Sequence, residues 1–208
     1  MLQCVVLTTN TTCMTYETRS FTIPALAGIS ENTIKEHLGL YAGYVKHVNL
    51  IHEKIAELSS DPEKNAYALT EIRRRLGFEW GGMKNHECYF AQFEEGAHPL
   101  PEGPLKAKLE ASFGDIPTWI QSFKQIAMTR GVGWAMLCYD KKTDSLITTW
   151  VDEQHLGQLI ETEIILALDM WEHSYVADYQ PSGKKQYVED FLANLNWEVV
   201  EENFKNAQ

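Results

Sequence analysis

Two long stretches in the first half of the chain carry apolar residues at the three- and four-residue spacing of an α-helix. The apolar face of the first stretch holds His37, Tyr41, Tyr44, Val48, Ile51 and Ile55. Ser30 is a favourable N-cap for this helix, and the sequence SSDP at 59–62 indicates a turn at its end. A second helix is predicted from about residue 63 to about residue 93. Since the connection is short, the two helices are expected to form an antiparallel hairpin.

Three glycines interrupt the pattern of the second helix, and they predict a kink or a split in it. They are Gly77, Gly81 and Gly82.

The second half of the chain begins after the segment EEGAHPLPEGP at 94–104, whose glycines and prolines favour a domain boundary. Short helices are predicted at 104–113 and 116–130. The apolar runs GWAMLCY and SLITTWV flank a hairpin turn at 140–144, EIILALDMW reads as a further strand, and the chain is helical again from residue 184. Helices followed by a small sheet with helices around it predict the α+β class. The predicted division is an extension at 1–20, a helical hairpin domain at 21–97 and a C-terminal α/β domain at 98–208.

Composition and charge narrow the possible partners. The formal net charge of −11 argues against nucleic acid, because phosphate binding requires clustered Lys and Arg. An anionic substrate would need a locally positive approach. No apolar run approaches the roughly 20 residues that cross a bilayer. The N-terminus also lacks the basic region and long apolar stretch of a secretory signal, so the cytoplasm is the expected location. The four cysteines form no C-x-x-C pair and are expected to be reduced.

Four side chains are candidates for chemistry. Asp169 ends an apolar strand and His173 follows one helical turn later, so both can reach one centre. A carboxylate with a neutral imidazole suits Mn, Fe or Zn, although a hydrogen-bonded Asp–His pair or a surface pair is the alternative. His37 and His86 lie on apolar helix faces, where many histidines are simply core residues. Spacing alone therefore allows a site of two or three histidines and one carboxylate, without choosing the metal or the reaction.

The segment DMWEHSY at 169–175 resembles the D-x-W-E-H-[small]-aromatic signature of the iron/manganese superoxide dismutase family. Further segments resemble the family in the same order along residues 21–205. They are FTIP at 21–24, the first-helix segment at 33–45, Asn85-His86, GVGWA at 131–135 and Asn196-Trp197.

The resemblance implies a fold, a metal and a reaction. The fold is a helical hairpin domain followed by an α/β domain with a three-stranded antiparallel sheet. The metal is one Fe or Mn ion per chain, with a solvent molecule in the fifth position. Its implied ligands are His37, His86, Asp169 and His173. The reaction is the disproportionation of superoxide to dioxygen and hydrogen peroxide, and the expected assembly is a homodimer.

The resemblance also implies roles for residues around the metal. Tyr44 matches the gateway tyrosine that guards the channel and helps to relay protons. Trp134 and Trp171 would wall the metal pocket. Glu172 matches a residue that reaches the metal-ligand His of the partner subunit, and Lys184 falls near the family's cationic funnel residue.

The first helix departs from the family pattern H-x-x-x-H-H-x-x-Y. One residue is missing between His37 and Tyr44, and Tyr41 stands where the family has a gateway His. That His pairs across the dimer with a Tyr, whose position here is Val176. Both halves of one intersubunit hydrogen bond are therefore replaced.

The side chain that binds the metal solvent also differs. Many members use a Gln from the second helix, but the position here is Gly82. The candidates from the hairpin region are His155 and Gln154, of which His155 is favoured because some relatives use a His there. Since this side chain tunes the metal potential, the choice between iron and manganese stays open.

Two other functions are compatible with the same residues. One is a mononuclear iron oxygenase, although such sites usually have two His and one carboxylate, and the fourth ligand argues against it. The other is a non-catalytic metal-binding homologue that acts as an interaction protein, which the lost Tyr–His pair would favour.

Overall fold

The N-terminal half is a hairpin of two long helices. A computed structural model describes residues 15–208. Helix α1 spans Glu31–Leu58 and α2 spans Ala66–Ala91. The Ser30 hydroxyl caps α1 by accepting a hydrogen bond from the Thr33 backbone N–H at 3.2 Å.

The predicted split of α2 is wrong, since the helix is continuous through its glycines. The reason is that two of these glycines serve close packing. A Cβ at Gly81 would lie 2.1 Å from the Gln154 carbonyl oxygen, and one at Gly82 would lie 2.4 Å from the Tyr44 ring. The glycines thus let α1 and the 154 loop approach the helix.

The C-terminal half combines short helices with a small sheet. Its elements are α3 Pro104–Phe113, α4 Ile116–Ala127, β1 Gly133–Asp140, β2 Ser145–Asp152, β3 Thr162–Asp169, α5 Lys184–Ala193 and α6 Trp197–Ala207. Two 3₁₀ turns, Glu172–Ser174 and Pro181–Gly183, lie between β3 and α5. The strands and most helix ends agree with the sequence prediction, while α4 ends before residue 130.

The three strands form one antiparallel sheet in the order β2-β1-β3. The central strand β1 is buried almost throughout, and its Trp134 lies opposite Asp169 of β3. Helices followed by this sheet confirm the predicted α+β class.

The two halves meet where α2 packs against β3. The Gln92 side chain makes two hydrogen bonds of 2.8 Å to the Ala167 backbone. The segment between the halves is fixed at His98, which pairs with the chain around Asn196. The domain limits at 97 and 98 stay a proposal.

The described part of the predicted extension, residues 15–20, lies against the helical hairpin. The Tyr16 backbone and the Asn49 side-chain amide exchange two hydrogen bonds of 2.8 Å. The Tyr16 ring meets Trp80 edge-on at 5.3 Å between centroids. The rest of the extension lies outside the described residues.

Two further expectations concern membranes and thiols. Over residues 15–208, none of the helices combines the length and the apolar character that a bilayer crossing requires. Cys88 and Cys138 are free, and Cys4 and Cys13 lie outside the described range.

Candidate metal centre

The four predicted ligand side chains lie together, although they come from four elements. His37 is on α1, His86 on α2, Asp169 at the end of β3 and His173 in the 3₁₀ turn that follows. One nitrogen or oxygen atom of each lies within 4.8 Å of those of the others. The side chains of His37, His86 and Asp169 are fully buried, while 22% of His173 is exposed.

The distances within the cluster fit a shared metal ion. Asp169 Oδ2 lies 3.2 Å from Nε2 of His37, 3.5 Å from Nε2 of His86 and 3.2 Å from Nε2 of His173. Metal–ligand bonds of about 2.0–2.2 Å at angles of 90–120° separate neighbouring ligand atoms by roughly 2.8–3.8 Å. The three separations from Asp169 lie in this range.

The orientation of His86 leaves one nitrogen free for a metal. Its Nδ1 lies 2.6 Å from the Gly82 carbonyl oxygen, so Nδ1 carries the proton and donates it there. Its Nε2 is buried and has no hydrogen-bond partner. Burial, assisted by His37, lowers the pKa of His86 to about 3, so the imidazole is neutral. A buried, neutral nitrogen without a partner is unusual for a core histidine but suitable for a ligand.

Hydrogen bonds to the second carboxylate oxygen and to the backbone carbonyl oxygen fix the position of Asp169. Oδ1 accepts a hydrogen bond from the Trp171 backbone N–H at 2.7 Å. The Asp169 carbonyl oxygen accepts from the Tyr187 hydroxyl at 2.9 Å and from the Ser174 hydroxyl at 3.0 Å. Burial alone would raise the pKa of Asp169, but His173 and His37 lower it by more, so the group is ionised.

Three imidazole nitrogens and one carboxylate oxygen are a suitable ligand set for Fe or Mn. The alternative of a hydrogen-bonded Asp–His pair does not account for His86, whose Nε2 faces the same carboxylate without a hydrogen bond. The cluster is thus able to hold one Fe or Mn ion, as the sequence predicts.

Gln154 connects two aromatic residues beside the cluster. Its Oε1 accepts a hydrogen bond from Trp134 Nε1 at 3.0 Å, and its Nε2 donates to the Tyr44 hydroxyl at 3.0 Å. The rings of Trp134 and Tyr44 each lie 5.0 Å from the His86 ring. Gln154 is fully buried, so its amide has one fixed position in this layer.

The preference for His155 over Gln154 is not supported by this geometry. The His155 ring points toward α2, where it meets the Phe78 ring at 5.9 Å, and a Cβ at Gly77 would lie 3.2 Å from it. The backbone of Glu153 before them is left-handed (φ 52°), and the two neighbouring side chains contact different residues, Gln154 the Tyr44 hydroxyl and His155 the Phe78 ring.

The remaining aromatic wall is formed by Trp171 and by a residue that sequence reasoning missed. The Trp171 ring stacks on His173 at 5.8 Å, and its Nε1 donates to the Glu153 carbonyl oxygen at 3.1 Å. Phe78 contacts Trp171 at 6.4 Å and Tyr44 at 6.1 Å between centroids. Phe78 precedes His86 by eight residues, which puts both residues on one face of the helix. This spacing could have identified Phe78 from the sequence.

Three other predicted residues lie farther from the ligands or face outward. Glu172 is exposed in the turn beside His173. The buried Tyr41 hydroxyl accepts from the Arg19 backbone N–H at 2.9 Å and lies 3.3 Å from a Glu87 carboxylate oxygen, to which it donates.

Lys184 contacts residues outside the cluster. Its ammonium donates to the Thr129 carbonyl oxygen at 3.0 Å and lies 5.8 Å from the centre of the Trp150 ring. Burial lowers its pKa. Its assignment to a substrate funnel stays a prediction.

Comparison with known proteins agrees with this arrangement. Residues 101–203 match the family described as "Iron/manganese superoxide dismutases, C-terminal domain". The chain is 31% identical over 187 residues to "Superoxide dismutase [Fe]" of Aquifex pyrophilus, covering 88% of this chain and 87% of that protein. It is 32% identical over 185 residues to "Superoxide dismutase [Fe]" of Cupriavidus metallidurans, covering 88% and 91%. It is 31% identical over 172 residues to "Superoxide dismutase [Mn]" of Mycolicibacterium fortuitum, covering 82% of each. This chain belongs to the iron/manganese superoxide dismutase family.

Proposed function

We propose that this protein is a superoxide dismutase whose single Fe or Mn ion is held by His37, His86, Asp169 and His173. The observation that carries the proposal is the buried, unpartnered Nε2 of His86 facing the Asp169 carboxylate. When bound, the ion would supply a one-electron couple, so that two superoxide anions and two protons yield dioxygen and hydrogen peroxide.

The residues around the cluster are suited to supply those protons. The Tyr44 hydroxyl accepts a hydrogen bond from Gln154, which leaves its own proton free to be donated. Burial and the nearby Asp169 raise the pKa of Tyr44, so the hydroxyl stays protonated at neutral pH. The Trp134 N–H fixes the other end of the Gln154 amide. We assign Tyr44 and Gln154 to proton delivery.

The ligand side chains are closely enclosed by aromatic rings, which favours a small substrate. His37, His86 and Asp169 are fully buried, and the rings of Trp134 and Trp171 pack against the ligand histidines. An oxygenase would need room for an organic substrate beside the ligands.

Elemental analysis, combined with superoxide consumption after loading with Fe or with Mn, tests the proposal. We expect close to one ion per chain and activity with at least one of the metals. His86→Ala should lose both the metal and the activity, whereas the matched change His98→Ala should keep both, since His98 is a surface residue paired with Glu198. A His86→Ala variant with normal metal content would refute the ligand assignment.

A second pair of variants tests proton delivery. Gln154→Ala should lower turnover by about tenfold to a hundredfold while the metal is kept, because second-layer residues commonly contribute that much. His155→Ala should have a much smaller effect. Equal losses in both variants would contradict the role of Gln154.

A non-catalytic homologue is the second candidate. It is favoured by the paired change to Tyr41 and Val176, and by the hydrogen bonds that Tyr41 makes within the chain. One bound ion per chain without superoxide consumption, with either metal, would support it. The homodimer, in which Glu172 would reach the partner subunit, and the cytoplasmic location stay predictions.

A further inference from the structure

A partly buried ion pair lies on α2 at the Tyr44 side of the metal centre. Arg75 Nε donates to Glu79 Oε1 at 2.9 Å, one helical turn apart. The Glu79 side chain is 9% exposed and the Arg75 side chain is 51% exposed. The carboxylate is therefore the inner charge and the guanidinium is the outer charge, which reaches solvent.

Phe78 connects this pair to the aromatic wall of the centre. The Arg75 guanidinium carbon lies 3.7 Å from the centre of the Phe78 ring. That ring contacts Tyr44 and Trp171. Tyr44 in turn lies against the ligand His86. The Phe78 ring thus lies between Arg75 and the aromatic residues that contact the ligand histidines.

The pair contributes to the charge that an approaching anion meets at the Tyr44 side of the centre. A chain of net charge −11 repels an anion at long range, and an unpaired Glu79 would add a negative charge at the aromatic wall. His47, whose Nδ1 lies 3.8 Å from Glu79, is on the exposed side of the carboxylate.

We propose that Arg75, held by Glu79 and stacked on Phe78, is the cation that draws the superoxide anion to the Tyr44 side of the centre. Glu79 is the inner negative charge of the pair, so removing that charge should not reduce the attraction for an anion. The inference rests on the proposed dismutase function for its substrate, but it concerns the admission of any small anion.

The neighbouring residue supplies a matched control. Arg74 pairs with Glu71 at 2.8 Å, and both side chains are exposed, at 72% and 43%. Arg74→Gln and Arg75→Gln make the same change of charge one residue apart on the same helix. Only Arg75 contacts an aromatic residue of the metal centre in the described part of the chain.

The experiment measures anion binding to the metal-loaded protein, not turnover. Azide is a small monoanion that binds Fe³⁺ and Mn³⁺ and changes their absorption, so its association rate is measured by stopped flow. At about 10 mM ionic strength, Arg75→Gln should slow association by about threefold to tenfold, and the difference should shrink at about 0.5 M salt. Arg74→Gln should cause less than half of that effect, and Arg75→Lys, which keeps the charge, should restore most of the rate. Glu79→Gln should not slow association at low salt if its folding and metal content are retained.

Three results would overturn the inference. They are equal effects of Arg75→Gln and Arg74→Gln, an effect of Arg75→Gln that does not depend on salt, and failure of azide to bind the wild-type protein. Since azide binding needs no turnover, a protein that binds azide in an Arg75-dependent manner but consumes no superoxide would refute the proposed function and leave the inference intact.

Discussion

Gln92 joins the two halves of the metal centre, and its removal should destabilise the fold strongly. The residue follows α2 and is fully buried. Its Oε1 accepts from the Ala167 backbone N–H, and its Nε2 donates to the Ala167 carbonyl oxygen, both at 2.8 Å. Because β3 is an edge strand of the sheet, these two groups have no strand partner on that side.

The size of the effect follows from the groups that lose their partners. Gln92→Leu keeps the volume similar but leaves a buried backbone N–H and a buried C=O of Ala167 unpaired. Each such group costs about 1–3 kcal/mol, so the free energy of unfolding should fall by about 2–6 kcal/mol. Asn203→Leu is the matched control, because Asn203 donates one hydrogen bond, of 3.1 Å, to the Ile165 carbonyl oxygen of the same strand. Asn203 is only half-buried, so water can replace it, and the expected loss is about 0.5–1.5 kcal/mol.

Urea unfolding of the metal-free protein, followed by far-UV circular dichroism at one protein concentration, measures both values. The metal is removed because a ligand of the native state adds stability by mass action. The slope of the unfolding free energy with urea should stay the same in the three proteins. If Gln92→Leu costs no more than Asn203→Leu, the double hydrogen bond does not hold β3 to α2. Metal retention should also weaken in Gln92→Leu, since Gln92 follows His86 on one side and Ala167 precedes Asp169 on the other.

Three further predictions follow from individual contacts. Asp178→Ala should lower the free energy of unfolding by about 1–2 kcal/mol at neutral pH, because the carboxylate accepts hydrogen bonds from the start of α1, including one of 2.7 Å from the Thr33 hydroxyl. Burial raises the pKa of Asp178 but these bonds lower it by more, to below the ordinary 3.8. The difference from wild type should therefore shrink as the pH falls below about 4 toward the lowered pKa, and a difference in urea unfolding that stays constant over that fall would contradict this account. Burial raises the pKa of the Cys138 thiol to about 11, so iodoacetamide at about pH 8 should leave it unmodified in the native protein and modify it after unfolding, as peptide mass spectrometry would detect. Gly82→Ala should displace the Tyr44 ring, which lies 2.4 Å from the new Cβ, and should lower superoxide consumption by about tenfold with the metal retained; unchanged activity would show that the ring position is not needed.

The helices and the strands were accessible from the sequence because each depends on a local pattern, whereas the ligand set was implied by the family resemblance. The spacing of His37, Tyr41 and Val48 on one face of α1 follows from the period of the helix, and these residues are buried. The ends of β1 and β2 follow from two apolar runs and from the turn at 140–144 between them. Asp169 and His173 were recognised from a motif that puts a strand end and a 3₁₀ turn side by side.

The side chains around the ligands were less accessible because they depend on distant parts of the chain. Whether Gln154 or His155 lies beside Tyr44 depends on how the loop after β2 packs against α1 and α2, which no side-chain pattern reveals. Gly82 predicted an interruption of α2, yet its lack of a Cβ accommodates the Tyr44 ring from α1. Such a glycine can be understood only when the neighbouring helix is known.

Tyr41 forms hydrogen bonds within the chain at a position where the family resemblance implies a contact between subunits. The family resemblance puts a His at this position, paired with a Tyr of the partner subunit, and here the second position is Val176, which is 45% exposed. The Tyr41 hydroxyl instead accepts from the Arg19 backbone and donates to Glu87, so its hydrogen-bonding capacity is used inside the chain. Because a buried hydroxyl without partners would be costly, Tyr41 depends on the partners that Arg19 and Glu87 supply. The segment before the first helix therefore belongs to the structural support of the metal centre, since it fixes a residue that lies one turn of α1 from the ligand His37.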